Sequence, residues 1–337
     1  MTPYTAPLWL PGGHLQTIYA ALLVRAPRVH YRRTRWDTPD GDFIDLDWVV
    51  KPARPTCRFN LTESGFGNHE TAPLLALFHG LEGDSGSHYA RALMHAAAER
   101  GWSGVVVHFR GCSGEANRLA RAYHSGDSAE IDWILRRLAS AHGGRPLFAA
   151  GVSLGGNALL KWLGEAGPAA RAIVRKAVAV SAPVDLMAAG NALGRGFSRL
   201  YSCNFLVTLK RKSLAKLAHY PGLYEAAGVR TAWTLRRFDD LVTAPLHGFR
   251  DADDYWTRAS SKPLLRNVAV PTLMINARND PFLPGHALPA PREVSPQVVL
   301  EISGTGGHVG FVSGAFPGTF AWLPGRVFDF FDRTDMR

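Results

Sequence analysis

The segment Gly151-Val152-Ser153-Leu154-Gly155-Gly156 restricts the fold more than any other part of the sequence. It matches G-x-S-x-G, a pattern typical of a sharp turn that leads from a strand into a helix and holds a reactive serine at its tip. An apolar run precedes the motif and an amphipathic segment follows it, as the pattern requires. Because glycines flank the serine and a helix begins behind it, the hydroxyl is unobstructed and faces backbone N–H groups. The sequence therefore predicts Ser153 as a nucleophile.

The sequence on both sides of this motif alternates between short apolar runs and amphipathic segments. Strands are predicted at 74–78, 104–109, 147–151, 176–181, 272–276 and 298–302, and helices at 88–100, 127–138, 154–163 and 326–331. Such alternation is typical of an α/β fold with a mostly parallel sheet flanked by helices. Earlier in the chain, residues 43–50 alternate apolar and acidic side chains, which predicts a half-exposed strand near the sheet edge. Residues 52–72 are predicted to form a surface loop.

The alternation stops between residues 184 and 261, where the sequence is helical in character, basic, and rich in Leu, Arg and Tyr. This stretch is too long for a simple loop, so it predicts a helical cap inserted into the core. We therefore divide the chain into a core of residues 1–183 and 262–337 and a cap of residues 184–261. The apolar cap residues expected either to line a pocket over Ser153 or to pack the cap on the core include Phe197, Leu200, Tyr201, Phe205 and Leu206. Phe238-Asp239-Asp240 is expected to dock the cap on the core.

A serine hydroxyl needs a base that accepts its proton, and in folds with this turn the residues follow the order serine, acid, histidine. Asp280 follows the predicted strand at 272–276, and His308 follows the strand at 298–302 among glycines that leave room for the ring to swing. We expect His308 to act as the base and Asp280 to orient it. Asp185 is the alternative acid, although it lies at the start of the predicted cap.

The developing negative charge on a substrate oxygen needs two backbone donors, which form an oxyanion hole. The N–H group of Leu154, directly after the serine, is one candidate. The other is expected in the loop His79-Gly80-Leu81-Glu82-Gly83, because it follows the predicted strand at 74–78. We assign this second donor to the N–H group of Leu81.

Several blocks along almost the whole chain resemble one branch of a known family. They are His14-Leu15-Gln16-Thr17, His79 to Gly83, Phe109-Arg110-Gly111-Cys112-Ser113-Gly114, Tyr123-His124-Ser125-Gly126, Gly151 to Gly156, Phe238-Asp239-Asp240 with Thr243-Ala244-Pro245, and Gly306 to Phe311. With these blocks the chain resembles the YheT-like α/β-hydrolases, a group that includes the mammalian ABHD1/ABHD3-type lipid hydrolases. The resemblance implies a serine carboxylesterase that acts on small-molecule or lipid-like acyl esters.

The net charge of the chain limits the kinds of partner it is expected to bind, and its cysteines indicate where in the cell it is expected. The formal net charge is +10, which suits either a surface that merely keeps the protein in solution or a partner rich in phosphate. We expect no specific nucleic-acid partner and no transmembrane segment, but weak peripheral contact with an anionic membrane through the cap is a further expectation. The basic cap residues are Arg195, Arg199, Lys210, Arg211, Lys212 and Lys216. The scattered Cys57, Cys112 and Cys203 suggest a reducing, cytoplasmic location.

Other functions remain open on sequence grounds. The same triad would serve an acyltransferase or a thioesterase, and a hydrolase fold can also bind a ligand without catalysis. Neither the spacing of a zinc protease motif nor a phosphate-binding glycine loop occurs, so neither a metal nor a cofactor is expected.

Overall fold

The structure is a computed structural model that describes residues 3–50 and 72–333. Cys57 and nearly all of the loop predicted at 52–72 lie outside the described residues. Eight strands form one sheet. They are β1 (Tyr31–Asp37), β2 (Phe43–Val49), β3 (Leu74–Phe78), β4 (Ser103–Val107), β5 (Leu147–Val152), β6 (Lys176–Val180), β7 (Thr272–Ala277) and β8 (Val298–Ser303).

The strands lie in the order β1-β2-β4-β3-β5-β6-β7-β8. All pairs from β4 to β8 are parallel, whereas β1 pairs with β2 and β2 with β4 in the antiparallel sense. This mostly parallel sheet confirms the predicted fold class. Because the carboxyl ends of parallel strands share one edge of the sheet, the loops after β3, β5, β7 and β8 meet there.

Helices cover both faces of the sheet. They are α1 (Gly13–Leu22), α2 (His88–Glu99), α3 (Ser128–Ala141), α4 (Leu154–Ala166), α5 (Leu186–Leu193), α6 (Arg199–Lys216), α7 (Ala226–Thr231), α8 (Leu235–Phe238), α9 (Ala244–Leu246), α10 (Ala252–Ala259) and α11 (Trp322–Asp332). The alternating residues of β3 show how the two faces are used. Leu74, Ala76 and Phe78 pack with α3 and α4, whereas Leu75 and Leu77 pack with α2 and α11.

Helices α5 to α10 follow β6 and precede β7, in the part of the sequence where a helical cap was predicted. A separate apolar cluster holds several of them together, with Leu206, Val229, Phe238 and Val242 buried at its centre. We retain the boundaries at residues 184 and 261 as a proposal for the limits of the cap.

The strand β2 corrects one expectation. It lies next to the edge strand, but five of its seven residues are buried, so the prediction of a half-exposed strand was wrong. The acidic residues that suggested exposure are paired across the ladder, Arg33 with Asp47 and Arg35 with Asp45, each at 2.8 Å. Burial alone would raise the pKa of Asp47, but hydrogen bonds from Arg33, His108 and Ser85 hold it well below its ordinary value. A buried carboxylate is tolerated when it is paired in this way.

Candidate active site

Ser153 stands at the tip of the turn between β5 and α4. Its φ of 52° and ψ of −121° are rarely adopted by a residue with a side chain, and such backbone strain costs about 1–3 kcal/mol. The turn is held because the N–H of Ser153 donates to the carbonyl of Val180 at 2.9 Å. A Cβ on Gly155 would lie only 2.4 Å from the carbonyl oxygen of Phe78. Glycine is therefore required where α4 begins against the end of β3.

An imidazole and a carboxylate line up behind the hydroxyl of Ser153. Oγ of Ser153 lies 2.9 Å from Nε2 of His308, and Nδ1 of His308 lies 2.9 Å from Oδ2 of Asp280. Because an ionised carboxylate only accepts hydrogen bonds, the neutral imidazole carries its proton on Nδ1 and leaves Nε2 to accept from the serine. Oδ1 of Asp280 accepts from the N–H of Phe282 at 2.7 Å. The ring of Phe282 stacks on the imidazole, with their centroids 3.8 Å apart.

Helix α1 holds the loop that carries His308. Oγ1 of Thr17 accepts from the backbone N–H of His308 at 2.8 Å. Oε1 of Gln16 accepts from the N–H of Gly306 at 2.8 Å and from Nδ2 of Asn279 at 3.0 Å. Residues separated by almost the whole chain therefore fix the position of the imidazole. Sequence reasoning missed this role, although polar Gln16 and Thr17, set among apolar residues of one helix, were a usable signal.

The glycines beside His308 serve close packing. A Cβ on Gly310 would lie 2.4 Å from the carbonyl oxygen of Gln16, and one on Gly307 would lie 2.6 Å from that of Gly13. The expectation that these glycines leave room for the imidazole to swing was therefore wrong. They allow the loop to contact the backbone of α1 directly.

The loop after β3 lies against Ser153. A Cβ on Gly80 would come within 3.1 Å of Cβ of Ser153. In residues 3–50 and 72–333, the N–H groups of Leu81 and Leu154 donate to no acceptor, whereas those of Gly80 and Glu82 do. The two N–H groups that sequence reasoning selected are therefore available to an oxygen bound beside the serine.

Two buried side chains fix this loop. The hydroxyl of Tyr89 accepts from the N–H of Gly80 at 2.8 Å. His79 donates from Nδ1 to the carbonyl of Gly80 at 2.7 Å and accepts at Nε2 from the N–H of Phe109 at 3.1 Å. Burial lowers the pKa of His79 to about 3, so the ring stays neutral and keeps both hydrogen bonds at physiological pH.

Glu82 joins the same loop to the cap. Its φ of 55° is again unusual for a residue with a side chain. The hydroxyl of Tyr123 accepts from the N–H of Glu82 and donates to its carboxylate, each at 2.8 Å. Nζ of Lys212, on α6, lies 2.9 Å from the carboxylate oxygens of Glu82. A cap lysine is thus bound to the residue that directly follows Leu81.

A cavity of about 670 Å³ opens beside Ser153, a volume typical of ligand pockets. Core and cap both contribute to its wall, which is mostly apolar. Its apolar lining includes Leu81, Leu154, Leu186, Leu193, Phe205, Leu209, Val242, Leu246 and Phe282. Cys112 also lines the cavity, but burial raises the pKa of its thiol to about 12. The thiol therefore stays protonated and is a poor competing nucleophile.

The cap residues expected at this cavity divide into three groups. Phe205 lines it, whereas Phe197 and Leu200 are exposed at the surface, so their expected place in the pocket was wrong. Leu206 is buried within the cap's own apolar cluster, and the ring of Tyr201 packs against Phe282.

Two of the basic cap residues also face inward. Lys212 binds Glu82 as described, and Nζ of Lys216 donates to Oδ1 of Asn117 at 2.8 Å. Both lysines line the cavity. The expectation that they face a membrane was therefore wrong.

The remaining acidic candidates have structural partners. Asp185 caps α5, since its carboxylate accepts from the N–H of Ala188 at 3.0 Å. Asp239 accepts from Trp256 Nε1 at 2.8 Å, and Asp240 accepts from the N–H of Ala252 at 2.8 Å. These bonds lie within the cap, so the expectation that they dock it on the core was wrong. Within the described ranges, no three His, Cys, Asp or Glu side chains form a group that could hold a metal ion.

Comparison with known proteins places the chain in a family. Residues 73–315 match the alpha/beta hydrolase fold family. YheT of Escherichia coli strain K12, a candidate esterase, is 42% identical over 318 residues, which cover 94% of this chain and 89% of that protein. The mouse phospholipase ABHD3 is 31% identical over 96% of this chain and 77% of its own length. The chain belongs to the α/β-hydrolase family. This confirms the resemblance drawn from the motif blocks and makes the chain a hydrolase of the YheT/ABHD type.

The solved structure of the esterase Pf2001 from Pyrococcus furiosus shares the fold of this α/β-hydrolase. The two align with a TM-score of 0.55 and 15% identity, over 91% of this chain and 98% of the other. At that identity the similarity concerns the fold alone. Among the helices of residues 3–50 and 72–333, not one combines the length and the apolar character needed to cross a membrane.

Proposed function

We propose that this α/β-hydrolase is a serine esterase that cleaves carboxylic acyl esters through an acyl-enzyme intermediate. Ser153 is the nucleophile, His308 the general base and acid, and Asp280 the residue that orients His308. The N–H groups of Leu81 and Leu154 form the oxyanion hole. The substrates are small-molecule or lipid-like acyl esters, and the activity needs no cofactor.

The uninterrupted series of hydrogen bonds from Ser153 through His308 to Asp280 carries this proposal. Oγ of Ser153 attacks the ester carbonyl while Nε2 of His308 takes its proton, and the imidazolium is stabilised by the Asp280 carboxylate. The carbonyl oxygen becomes an oxyanion, for which the two unoccupied backbone N–H groups are the donors. Nε2 then gives the proton to the departing alkoxide, so that an alcohol leaves and an acyl-serine remains. Water, activated by the same imidazole, hydrolyses this ester and restores the serine.

The cavity supports a substrate that is recognised mainly through an apolar acyl group. Its apolar wall begins at Leu154 and Phe282, which directly adjoin Ser153 and His308. The relatives named as an esterase and a phospholipase agree with an ester substrate. The large apolar volume favours acyl chains longer than acetate.

A serine-directed probe tests the proposal. A fluorophosphonate is expected to label Ser153, and Ser153→Ala should lose both labelling and hydrolysis of p-nitrophenyl esters. Ser125→Ala is a matched control, because Ser125 lines the same cavity without contacting His308. Asp280→Asn should lower kcat by roughly 10³- to 10⁴-fold, whereas Asp185→Asn should leave it near the wild-type value. Persistent labelling of Ser153→Ala, or wild-type turnover by Asp280→Asn, would contradict the assignment.

A further inference from the structure

Helix α1 has two faces of opposite character. Gln16, Thr17 and Ala20 point into the molecule, and the first two hold the His308 loop. On the opposite side, Leu15 is 45% exposed and Leu22 is 75% exposed. A helix normally turns its apolar stripe toward the core. Here an apolar stripe faces solvent on the side of α1 opposite to the loop that carries the proposed base.

The first half of α6 continues this apolar surface. Phe197, just before the helix, is 51% exposed, Leu200 is 58% exposed and Val207 is 67% exposed. The ring of His14 on α1 lies 4.7 Å from that of Phe197, and Nδ1 of His14 lies 3.2 Å from the hydroxyl of Tyr201 on α6. The two helices therefore meet at the surface. We call Leu15, Leu22, Phe197, Leu200 and Val207 the apolar face.

The two helices that carry the apolar face also contact the active site through their inner sides. Thr17 on α1 binds the backbone of His308. Tyr201 on α6 packs against Phe282, with ring centroids 4.8 Å apart, and Phe282 stacks on the imidazole. A surface that covers the apolar face would therefore contact the same helices that hold the proposed catalytic residues in place.

The two helices of the apolar face and the segments beside them carry basic charges only. Residues 1–36 and 186–224, which contain both helices, include no Asp or Glu. Four exposed arginines lie on α6 or close to the ends of the two helices. They are Arg25, Arg195, Arg199 and Arg211, of which Arg211 also lines the cavity. In the described part of the chain, no carboxylate lies within 4 Å of their guanidinium groups. Exposed apolar side chains with unpaired arginines at their border match the chemistry of an anionic lipid surface.

We propose that the apolar face docks this protein on an anionic lipid surface, with Leu15, Phe197 and Leu200 inserted among the lipids. Arg195 and Arg199 bind lipid phosphates at the same time. Docking itself is independent of the proposed esterase activity. If both hold, the substrate is an ester at a lipid–water interface.

Vesicle sedimentation tests the docking without involving catalysis. The full chain carrying Ser153→Ala is mixed with vesicles of phosphatidylcholine alone or with a quarter of phosphatidylglycerol. The protein is expected to bind the anionic vesicles. Binding should weaken as salt rises from about 0.1 to about 0.5 M, because salt screens the charges of the arginines. Adding Leu15→Ser, Phe197→Ser and Leu200→Ser should lower the partition coefficient by roughly tenfold or more. The far-ultraviolet circular dichroism spectrum and Tm establish that the variant is folded.

A matched control separates this surface from general stickiness. Val299 is also exposed, at 48%, but it pairs with Leu273 in the amino-terminal half of β7 and β8, away from the active-site edge. Val299→Ser should bind vesicles like the parent protein. Absence of binding by the parent, or equal binding by the triple variant, would overturn the proposal. Light scattering would also overturn it if the parent protein were a dimer and the triple variant a monomer. The apolar face would then bind a second copy of this chain.

Discussion

At the scale of single residues, the candidate site depends on the position of one imidazole. His308 contacts four residues from three parts of the chain, namely Ser153, Thr17, and Asp280 with Phe282 in the loop after β7. Ser153 and Asp280 would act in the chemistry itself. Thr17 and Phe282 instead restrict where the ring can lie, which matters because catalysis is sensitive to shifts well below 1 Å.

Thr17→Val is expected to slow turnover. It removes the oxygen that accepts the His308 N–H but preserves the shape of the side chain. A buried N–H left without a partner costs about 1–3 kcal/mol. If half of that free energy raises the barrier of the reaction, kcat is expected to fall about two- to tenfold. KM should change little, because Thr17 does not line the cavity.

Steady-state kinetics on a soluble butyrate ester measure both constants. Thr231→Val is the control, since Thr231 is an exposed residue of α7 whose hydroxyl donates to carbonyl groups of its own helix. A lower Tm with an unchanged kcat would show that Thr17 stabilises the fold and has no influence on the imidazole.

The sequence predicted some residues of the candidate site but not others. Ser153, Asp280 and His308 were predictable because each follows a strand in the order that this turn requires. The polar character of Thr17 and Gln16 on an apolar helix indicated that each has a partner, but not which one, because the partners lie almost three hundred positions away. The glycines near His308 were recognised, but their cause was misassigned, since a close approach by a distant backbone leaves the same sequence signal as a flexible loop.

At the scale of elements, α6 contacts both the cavity and the loop after β3 that contains Leu81. Its inner side contributes Phe205 and Leu209 to the cavity wall and Lys212 to the carboxylate of Glu82. A movement of α6 would therefore change the environment of Leu81. The strand and helix positions were mostly predictable from periodicity, but the inward direction of Lys212 and Lys216 was not, because charged residues on a basic helix are normally solvated.

Lys212→Met is expected to lower kcat by about two- to fivefold, with a smaller effect on KM. The methionine keeps roughly the length of the side chain but leaves the carboxylate of Glu82 with Tyr123 and the weak donor Cys112 as partners. The range follows from the modest energy of a partly exposed ion pair. Lys212→Arg should restore most of the rate. Combining Lys212→Met with Glu82→Gln should cost no more than either change alone, and additive losses would refute a shared role.

Asp239, in the cap, is expected to make the free energy of unfolding depend on pH. Burial raises its pKa from 3.8 to about 6, despite hydrogen bonds from Thr243 and Trp256. The folded protein therefore binds this proton more tightly than the unfolded chain does. The stability that protonated Asp239 provides is complete below pH 3.8 and is lost as the pH rises through about 6.

Asp239→Asn keeps a neutral polar group at this position, so it should stabilise the protein relative to wild type at pH 8. The gain is at most about 3 kcal/mol, and it should shrink as the pH falls toward 4. Urea unfolding of both proteins across that range measures the difference. A constant difference at every pH would mean that folding does not raise the pKa of Asp239.

At the scale of the whole molecule, the cavity exists only where core and cap come together. The core supplies Ser153, Leu154 and Phe282, and the cap supplies Phe205 and Leu209. The presence of a cap was predictable from the break in β-α alternation. Which of its apolar residues face the cavity was not, because both sides of α6 are apolar in its first half and the sequence alone does not reveal which side meets the core.

Phe205→Trp is expected to shorten the acyl pocket. The larger ring should lower kcat/KM for p-nitrophenyl decanoate more than for p-nitrophenyl acetate, because only the longer chain needs the occupied volume. Phe197→Trp is the matched control, since the same change at an exposed site should leave soluble esters unaffected. An equal loss for both esters with Phe205→Trp, together with a lower Tm, would indicate disturbed packing.

The contact between Thr17 and His308 joins residues 291 positions apart, and this separation has a consequence for protein synthesis. A ribosome makes the turn that carries Ser153 long before it reaches His308. Until then the serine has no base, and the early helix has no loop to hold. On the proposed mechanism, a growing chain is inert toward every ester it meets. Hydrolysis becomes available only when translation has passed residue 310 and α1 has packed against the loop that carries His308.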